Sequence, residues 1–125
     1  MCLITANPSI VAQRDIECYK LLIKSDVGYV SPYLGASYKI PSTVTDAIII
    51  EQVAIIPRGS HIEYHVSEGF LHCYRYLHTI ERVNEVIFHE ENTVIVKCII
   101  PKGTLCYYND REICAKQLKL IKICV

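Results

Sequence analysis

Tryptophan is absent from the 125 residues, methionine occurs once and phenylalanine twice. Aromatic packing and stacking therefore fall to nine tyrosines, whose rings are apolar but whose hydroxyls seek a hydrogen bond when buried. Net charge is missing as well, because 13 basic side chains balance 13 acidic ones. Long-range attraction to nucleic acid or to an anionic membrane needs clustered excess positive charge, so the chain as a whole carries no strong nucleic-acid signal. Long apolar runs are lacking: the longest window, Ala47 to Ile56, is interrupted by Glu51 and Gln52 and is too short to span a bilayer. No membrane contact is expected.

The opening MCLITANPSIVAQ has neither the basic start nor the apolar length of a secretory signal. The seven cysteines are odd in number and contain no CxxC pair. Together these features predict a reducing, cytoplasmic setting in which most cysteines serve as small core hydrophobes. Also missing are a phosphate-binding glycine-rich loop, GxSxG, HExxH and a helix of paired carboxylates. These absences lean against an enzyme, and no cofactor is expected.

What the chain does have is apolar content: 51% of residues are hydrophobic and the mean hydropathy is +0.24. One domain spanning residues 1–125 can bury a real core at this length. Surplus apolar surface makes a homo-oligomer a further expectation.

The stretch Thr93 to Tyr108, TVIVKCIIPKGTLCYY, organises the rest. Its nearly continuous apolar run reads as a strand covered on both faces. Pro101-Lys102-Gly103 then breaks it, and Thr104 to Tyr108 should return as an antiparallel partner. The same wording occurs earlier, where Ile55-Ile56-Pro57-Arg58-Gly59-Ser60 matches Ile99-Ile100-Pro101-Lys102-Gly103-Thr104 position for position. Two Pro-basic-Gly hairpins of similar build are therefore expected, flanking a different central segment.

Elsewhere, Asp15 to Lys24 alternates as a strand, Val44 to Ile56 reads as strand with a short buried helix as the alternative over Ala47 to Ile50, and Glu112 to Val125 reads as one long strand. Thr79 is a good helix N-cap, and Ile80, Val83 and Ile87 fall at helical spacing. One helix over roughly 80–87 should pack on the sheet. The fold class is α+β, mostly antiparallel β-sheet with one short helix.

Chemistry has few places to sit. His61, Glu63 and His65 alternate onto one face of a strand, which makes them the geometric candidates for a metal; a solvated sheet face explains them equally. His72 adjoins Cys73, but neighbours on a strand point to opposite faces, so His72 would have to meet Glu112 or another group through the fold. These two are the catalytic candidates. Tyr33 and Tyr38, in a segment punctuated by glycine and proline, and Tyr74 and Tyr76 are candidates for a stacking platform that binds a ligand.

MCLIT at the start, DIECYK, SPY, the Gly-Phe-x-His-Cys-Tyr stretch, IIPKGT and the closing CAKQLKL together resemble a family of small proteins of unassigned activity from gut Bacteroidetes-type bacteria and their phages. The resemblance implies an accessory protein of a phage or mobile element, acting on a protein or small-molecule ligand, and no mechanism. The order of segments is also similar to that of ADP-ribosyltransferase-like domains: Tyr19-Lys20, then Gly69 to Tyr76 entering a helix, then Ile99 to Gly103, then Glu112. That similarity implies an NAD-binding enzyme in which Glu112 orients a ribose hydroxyl and Tyr74 or Tyr76 stacks on nicotinamide. The early Arg or His, the Ser-Thr-Ser and the Glu-x-Glu of those domains are missing here.

Overall fold

A computed structural model describes residues 3–26, 28–31, 37–38, 45–46, 53–66, 70–88 and 92–124. Thirteen strands follow one another in these residues: β1 Leu3–Thr5, β2 Ile10–Val11, β3 Ile16–Ser25, β4 Gly28–Val30, β5 Ser37–Tyr38, β6 Thr45–Asp46, β7 Val53–Arg58, β8 His61–Val66, β9 Leu71–Tyr74, β10 Thr93–Ile100, β11 Leu105–Tyr108, β12 Glu112–Ala115 and β13 Gln117–Ile123. One helix, α1 Leu77–Val83, lies between β9 and β10 and runs into a π-helical turn, Asn84–Phe88. All the strand pairings are antiparallel. The fold is thus mostly antiparallel sheet with one short helix.

The main sheet runs β2-β11-β12-β9-β3-β10-β13-β6, with β4 and β5 added beside β3. Its geometry follows from one covalent fact. Only Lys116 separates β12 from β13, yet β9, β3 and β10 lie between them in the sheet. Four interstrand steps in a flat sheet would hold these strands about 19 Å apart, whereas two peptide links reach at most about 7.6 Å. The sheet must therefore curl until Glu112 to Ile123 forms one bent strand that pairs with β9 at its start and β10 at its end.

The interior of this curl is the main core: Cys18, Leu22, Cys73, Val96, Cys98, Ile100, Cys106, Ile113, Leu118 and Leu120, with Ala12 and Ala115, all buried. The long β3–β10 ladder supplies its wall, in register from Thr93↔Ile23 to Ile100↔Ile16. On the outer side of that ladder α1 seats Ile80 against Leu21 and Ile95. Hence β10 is apolar at nearly every position: one face looks inward, and on the other Ile95 lies under the helix while Lys97 pairs with Glu17. A second layer, the sheet β1-β8-β7, covers β11 and β12 through Leu3, Val66, Phe70 and Cys114.

Two details differ from the sequence reading. The first Pro-basic-Gly corner does close a hairpin, β7–β8, but through Gly59-Ser60 alone: Arg58 pairs with His61 and Pro57 with Ile62. Gly59 supplies the left-handed residue, at φ +59°, and Pro57 is tolerated because β7 is an edge strand. The second corner also forms, with Gly103 at φ +90° and the Thr104 N–H donating to the carbonyl of Pro101 at 3.2 Å. Its outgoing strand, however, pairs with β2 and β12 instead of returning along β10. Both edges of β10 are already occupied, by β3 and β13.

The helix begins at Leu77, two residues before Thr79, with Tyr76 as its N-cap and no side-chain cap. The π turn then rotates the stripe, so Ile80 is fully buried while Ile87 is 60% exposed. Of Val44 to Ile56, Thr45-Asp46 and Val53 onward are strand; Val44 and residues 47–52 lie outside the described residues.

If the bent closing strand carries the core, Leu118→Ala and Leu120→Ala should each cost about 2–5 kcal/mol. The exposed Ile123→Ala, by contrast, should stay within about 0.5 kcal/mol. Urea midpoints for the three variants check this; equal effects would contradict the closure.

Candidate functional site

Two groups of side chains on this frame carry chemistry. The first is interior. Cys18 of β3 is the register partner of Cys98 on β10, and Tyr19↔Tyr74 sets β9 beside them, so Cys18, Cys73 and Cys98 meet inside the barrel. Hydrogen bonding among the three thiols pushes the proton affinity of Cys18 and Cys98 up and that of Cys73 down, with Lys20 as a nearby positive charge, and Cys98 Sγ also lies 3.5 Å from the carbonyl of Val96. Lys20 is itself 7% exposed, and its Nζ donates to the carbonyl of His72 at 2.8 Å. All three sulfurs are sealed from solvent, the condition in which a cysteine is inert toward partners.

The second group is at the surface, where β9 ends. Arg75 follows Tyr74, and its guanidinium lies 5.3 Å from the ring centre of Tyr76 and 5.4 Å from that of Tyr108. Such cation–π contacts fix the plane of the guanidinium. Its Nη1 donates to the carbonyl of Asn109 at 2.8 Å, and its backbone N–H donates to the carbonyl of Arg111 at 2.8 Å. Asn109 is in turn an organiser of the β11–β12 turn: its Oδ1 accepts from the N–H groups of Arg111 and Glu112 at 2.9 and 2.7 Å. Among the described residues no carboxylate forms an ion pair with Arg75.

Arg75 divides two clefts. One, of about 510 Å³, is walled by Tyr19, Tyr76, Leu77 and His78 and also by Glu17 and Glu81; the His78 ring stacks on Tyr76 at 5.5 Å, and Glu17 is engaged by Lys97. The other, of about 650 Å³, is walled by Ile10, Val11, Ala12, Ile16, Tyr108 and Ile113, with Gln13, Arg14 and Arg75 as its polar members. It holds two cations and no acidic residue. The neighbouring Asp15 is turned to the Lys102 N–H, 2.9 Å away. Both its volume and its mostly apolar lining with a few polar groups are typical of ligand sites.

The residues singled out in the sequence are distributed differently. Tyr76 lines the first cleft, while Tyr74 packs toward α1 with Leu21, Ile80 and Ile95. Tyr33 lies outside the described residues, and Tyr38 is described only as the β5 partner of Tyr29. His72 pairs with Cys114 and Glu112 with Tyr74 on the β9–β12 ladder; neither His72 nor Glu112 lines either cleft. Glu112 instead braces the turn, its Oε2 accepting from Asn109 Nδ2 at 3.4 Å.

His61, Glu63 and His65 do share a face, with Glu63 at its centre. Glu63 lies 3.1 Å from His65, 3.8 Å from His61 and 3.5 Å from Arg58, and the hydrogen bond with His65, then the Arg58 guanidinium, hold its carboxyl below the usual range. Among the described residues no group of three or more His, Cys, Asp or Glu is disposed to hold a metal ion, and no helix is long and apolar enough to cross a membrane. Arg14, Arg75 and Tyr108 escaped the sequence reading. The flanking of Arg75 by Tyr74 and Tyr76 was the local signal, but Tyr108 joins it only through the fold.

Comparison of the chain with protein-family models, with curated proteins and with solved structures finds no match.

The buried thiols give a signed prediction. Burial raises Cys106 and Cys114, and hydrogen bonding with Cys73 is the first cause of the rise at Cys18 and Cys98. The folded state therefore keeps four thiol protons that the unfolded chain sheds above roughly pH 8.5. Stability from these groups is complete below that pH and lost as pH rises; Cys73, whose proton affinity is lowered, acts in the opposite sense and only at lower pH. Under reductant, urea midpoints should fall between about pH 8 and pH 9.5, with each thiol contributing up to about 1.4 kcal/mol per pH unit. Cys114→Ala should flatten the decline, and a midpoint constant over that window would refute the assignment.

Proposed function

We propose that this chain is a binding domain without catalytic activity, an accessory protein of a phage or mobile element, and that it captures an anionic group carried on an apolar body in the cleft between Arg14 and Arg75. The observation that supports this reading is a guanidinium clamped between two tyrosine rings, without a carboxylate partner among the described residues, beside an apolar cleft. A charge-balanced chain gains nothing in long-range steering from two arginines placed together. Their use is local: a fork of N–H donors pre-set for a carboxylate or phosphate oxygen. Pre-organisation by the rings and by Asn109 lowers the entropy lost when the anion arrives.

The apolar walls set the second requirement. Ile10 and Val11 are 39% and 49% exposed, and covering them returns about 25 cal/mol for each Å² of apolar surface removed from water. An inorganic anion would leave that surface wet. The phage or mobile-element setting rests on the sequence resemblance alone.

Decanoate and decylammonium separate charge from apolar bulk. Decanoate should perturb the NMR signals of Ile10, Val11, Tyr108 and Ile113, and decylammonium should not. Arg75→Gln and the exposed Arg14→Gln should each weaken decanoate by about tenfold, roughly 1.4 kcal/mol, with circular dichroism unchanged for Arg14→Gln. Equal affinity for the two amphiphiles, or no saturable binding of either, would overturn the reading.

A further inference from the structure

The strand that borders this cleft is the free end of the main sheet. β2 pairs with β11 and, among the described residues, with nothing on its other side. The hydrogen-bond pattern fixes which way its groups point. Ala12 directs both of its backbone groups inward, its N–H to the carbonyl of Thr104 at 2.9 Å and its carbonyl to the N–H of Gly103 at 2.8 Å. On an extended segment the preceding residue must direct its N–H and carbonyl the opposite way. Val11 therefore presents both groups off the edge. Among the described residues its carbonyl is met only by the exposed side-chain amide of Gln13, at 3.1 Å, a local contact that an incoming backbone N–H can replace.

From this edge we infer that the ligand of the cleft is an extended peptide that adds as a strand beside β2, hydrogen-bonding to Val11 and setting an acidic side chain against Arg14 and Arg75. The inference rests on the anion-binding reading of the cleft and adds the backbone that carries the anion. Three features argue for a peptide over a lipid-like carboxylate. An open donor and acceptor on an edge strand match a main chain and have no counterpart in an alkyl tail. The period of a strand puts alternate side chains on one face, so an acidic residue and its apolar neighbours two positions away enter the cleft together. The cleft offers matching walls, Ile16 and Ile113 as apolar surface beside the two cations. Because β2 contributes only two residues, the side chains in the cleft must supply most of the affinity and all of the preference for an acid.

A blocked peptide alternating isoleucine and threonine, with its central isoleucine replaced by glutamate, is the probe; decanoate is the reference. The peptide should bind and should lose about tenfold when the glutamate is changed to glutamine. N-methylation of the residues beside the glutamate should weaken it at least as much, with decanoate unaffected by any backbone requirement. Gln13→Ala removes the competing amide and should tighten the peptide about threefold. An N-methylated peptide that binds as well as its parent overturns strand addition. Decanoate binding with no peptide binding also overturns it, leaves the cleft as an anion site and points to a lipid-like carboxylate. Failure of both probes overturns the anion site itself.

Discussion

The structure depends on a single length constraint: Glu112 to Ile123 is one stretch of chain serving two positions of the same sheet. A strand cannot pair with both β9 and β10 unless the intervening strands bend around an interior. That interior is lined by β9, β3, β10 and the closing strand, with β11 and the end of β2 beside them, and small side chains alternate with large ones. Ala12, Cys18, Cys73, Cys98, Cys106 and Ala115 fill the space between Leu22, Val96, Ile100, Ile113, Leu118 and Leu120. The cysteine content thereby acquires a packing explanation: a thiol fills more than a methyl and less than an isobutyl group, and it makes only weak demands for hydrogen bonds. Closure also bears on one large polar intruder. Lys20 alternates inward between Cys18 and Leu22, and its Nζ donates to the carbonyl of His72. A buried ammonium that keeps a hydrogen-bond partner avoids part of the large cost of enclosing it.

The same constraint builds the surface site. Closing the sheet sets β12 beside β9, so the turn that joins β11 to β12 falls against the residue that follows β9. Arg75 is that residue, and Tyr108 and Asn109 enter the turn. The main-chain bond from Arg75 to Arg111 continues the ladder one step past β9, which keeps the arginine backbone aligned just before the chain turns into α1. Tyr76 then caps the helix and supplies the second ring. A rigid frame, a turn tied by an asparagine and a helix start converge on one side chain, an arrangement that holds a binding group in place before its ligand arrives.

Much of this frame was legible and much of the site was not, for one physical reason. Periodicity reports what a residue faces, and it correctly read Asp15 to Lys24 as an alternating strand and put His61, Glu63 and His65 together on β8. Pairing partners are decided by competition among strands, which no local pattern records. The Pro101-Lys102-Gly103 turn formed as its residues require, yet β11 found β12 and β2 because β10 was already taken on both edges. The helix start is a similar case. Thr79 is the better cap by composition, but packing of Leu77 with Leu21, Ile80 and Ile95 outweighs a cap of about 1 kcal/mol. Arg75 was passed over because its meaning lies in Tyr108 and in the absence of an acid, and both are facts of the assembled fold.

The two clefts that share Arg75 also show why only one suits an anion. Near a protein surface a unit charge pair at about 4 Å is worth about 4 kcal/mol, so the acids in a wall weigh as heavily as the cations. In the cleft toward α1 an incoming carboxylate meets Glu17 and Glu81 along with Arg75. Glu17 is offset by Lys97, but among the described residues Glu81 has no such cation. In the cleft toward β2 it meets Arg14 and Arg75 with no acid in the wall. The guanidinium is common to both sides, so the difference between them comes from the neighbours. Selectivity for the β2 side is a repulsion removed as much as an attraction added. That side is also where the sheet leaves a backbone edge open.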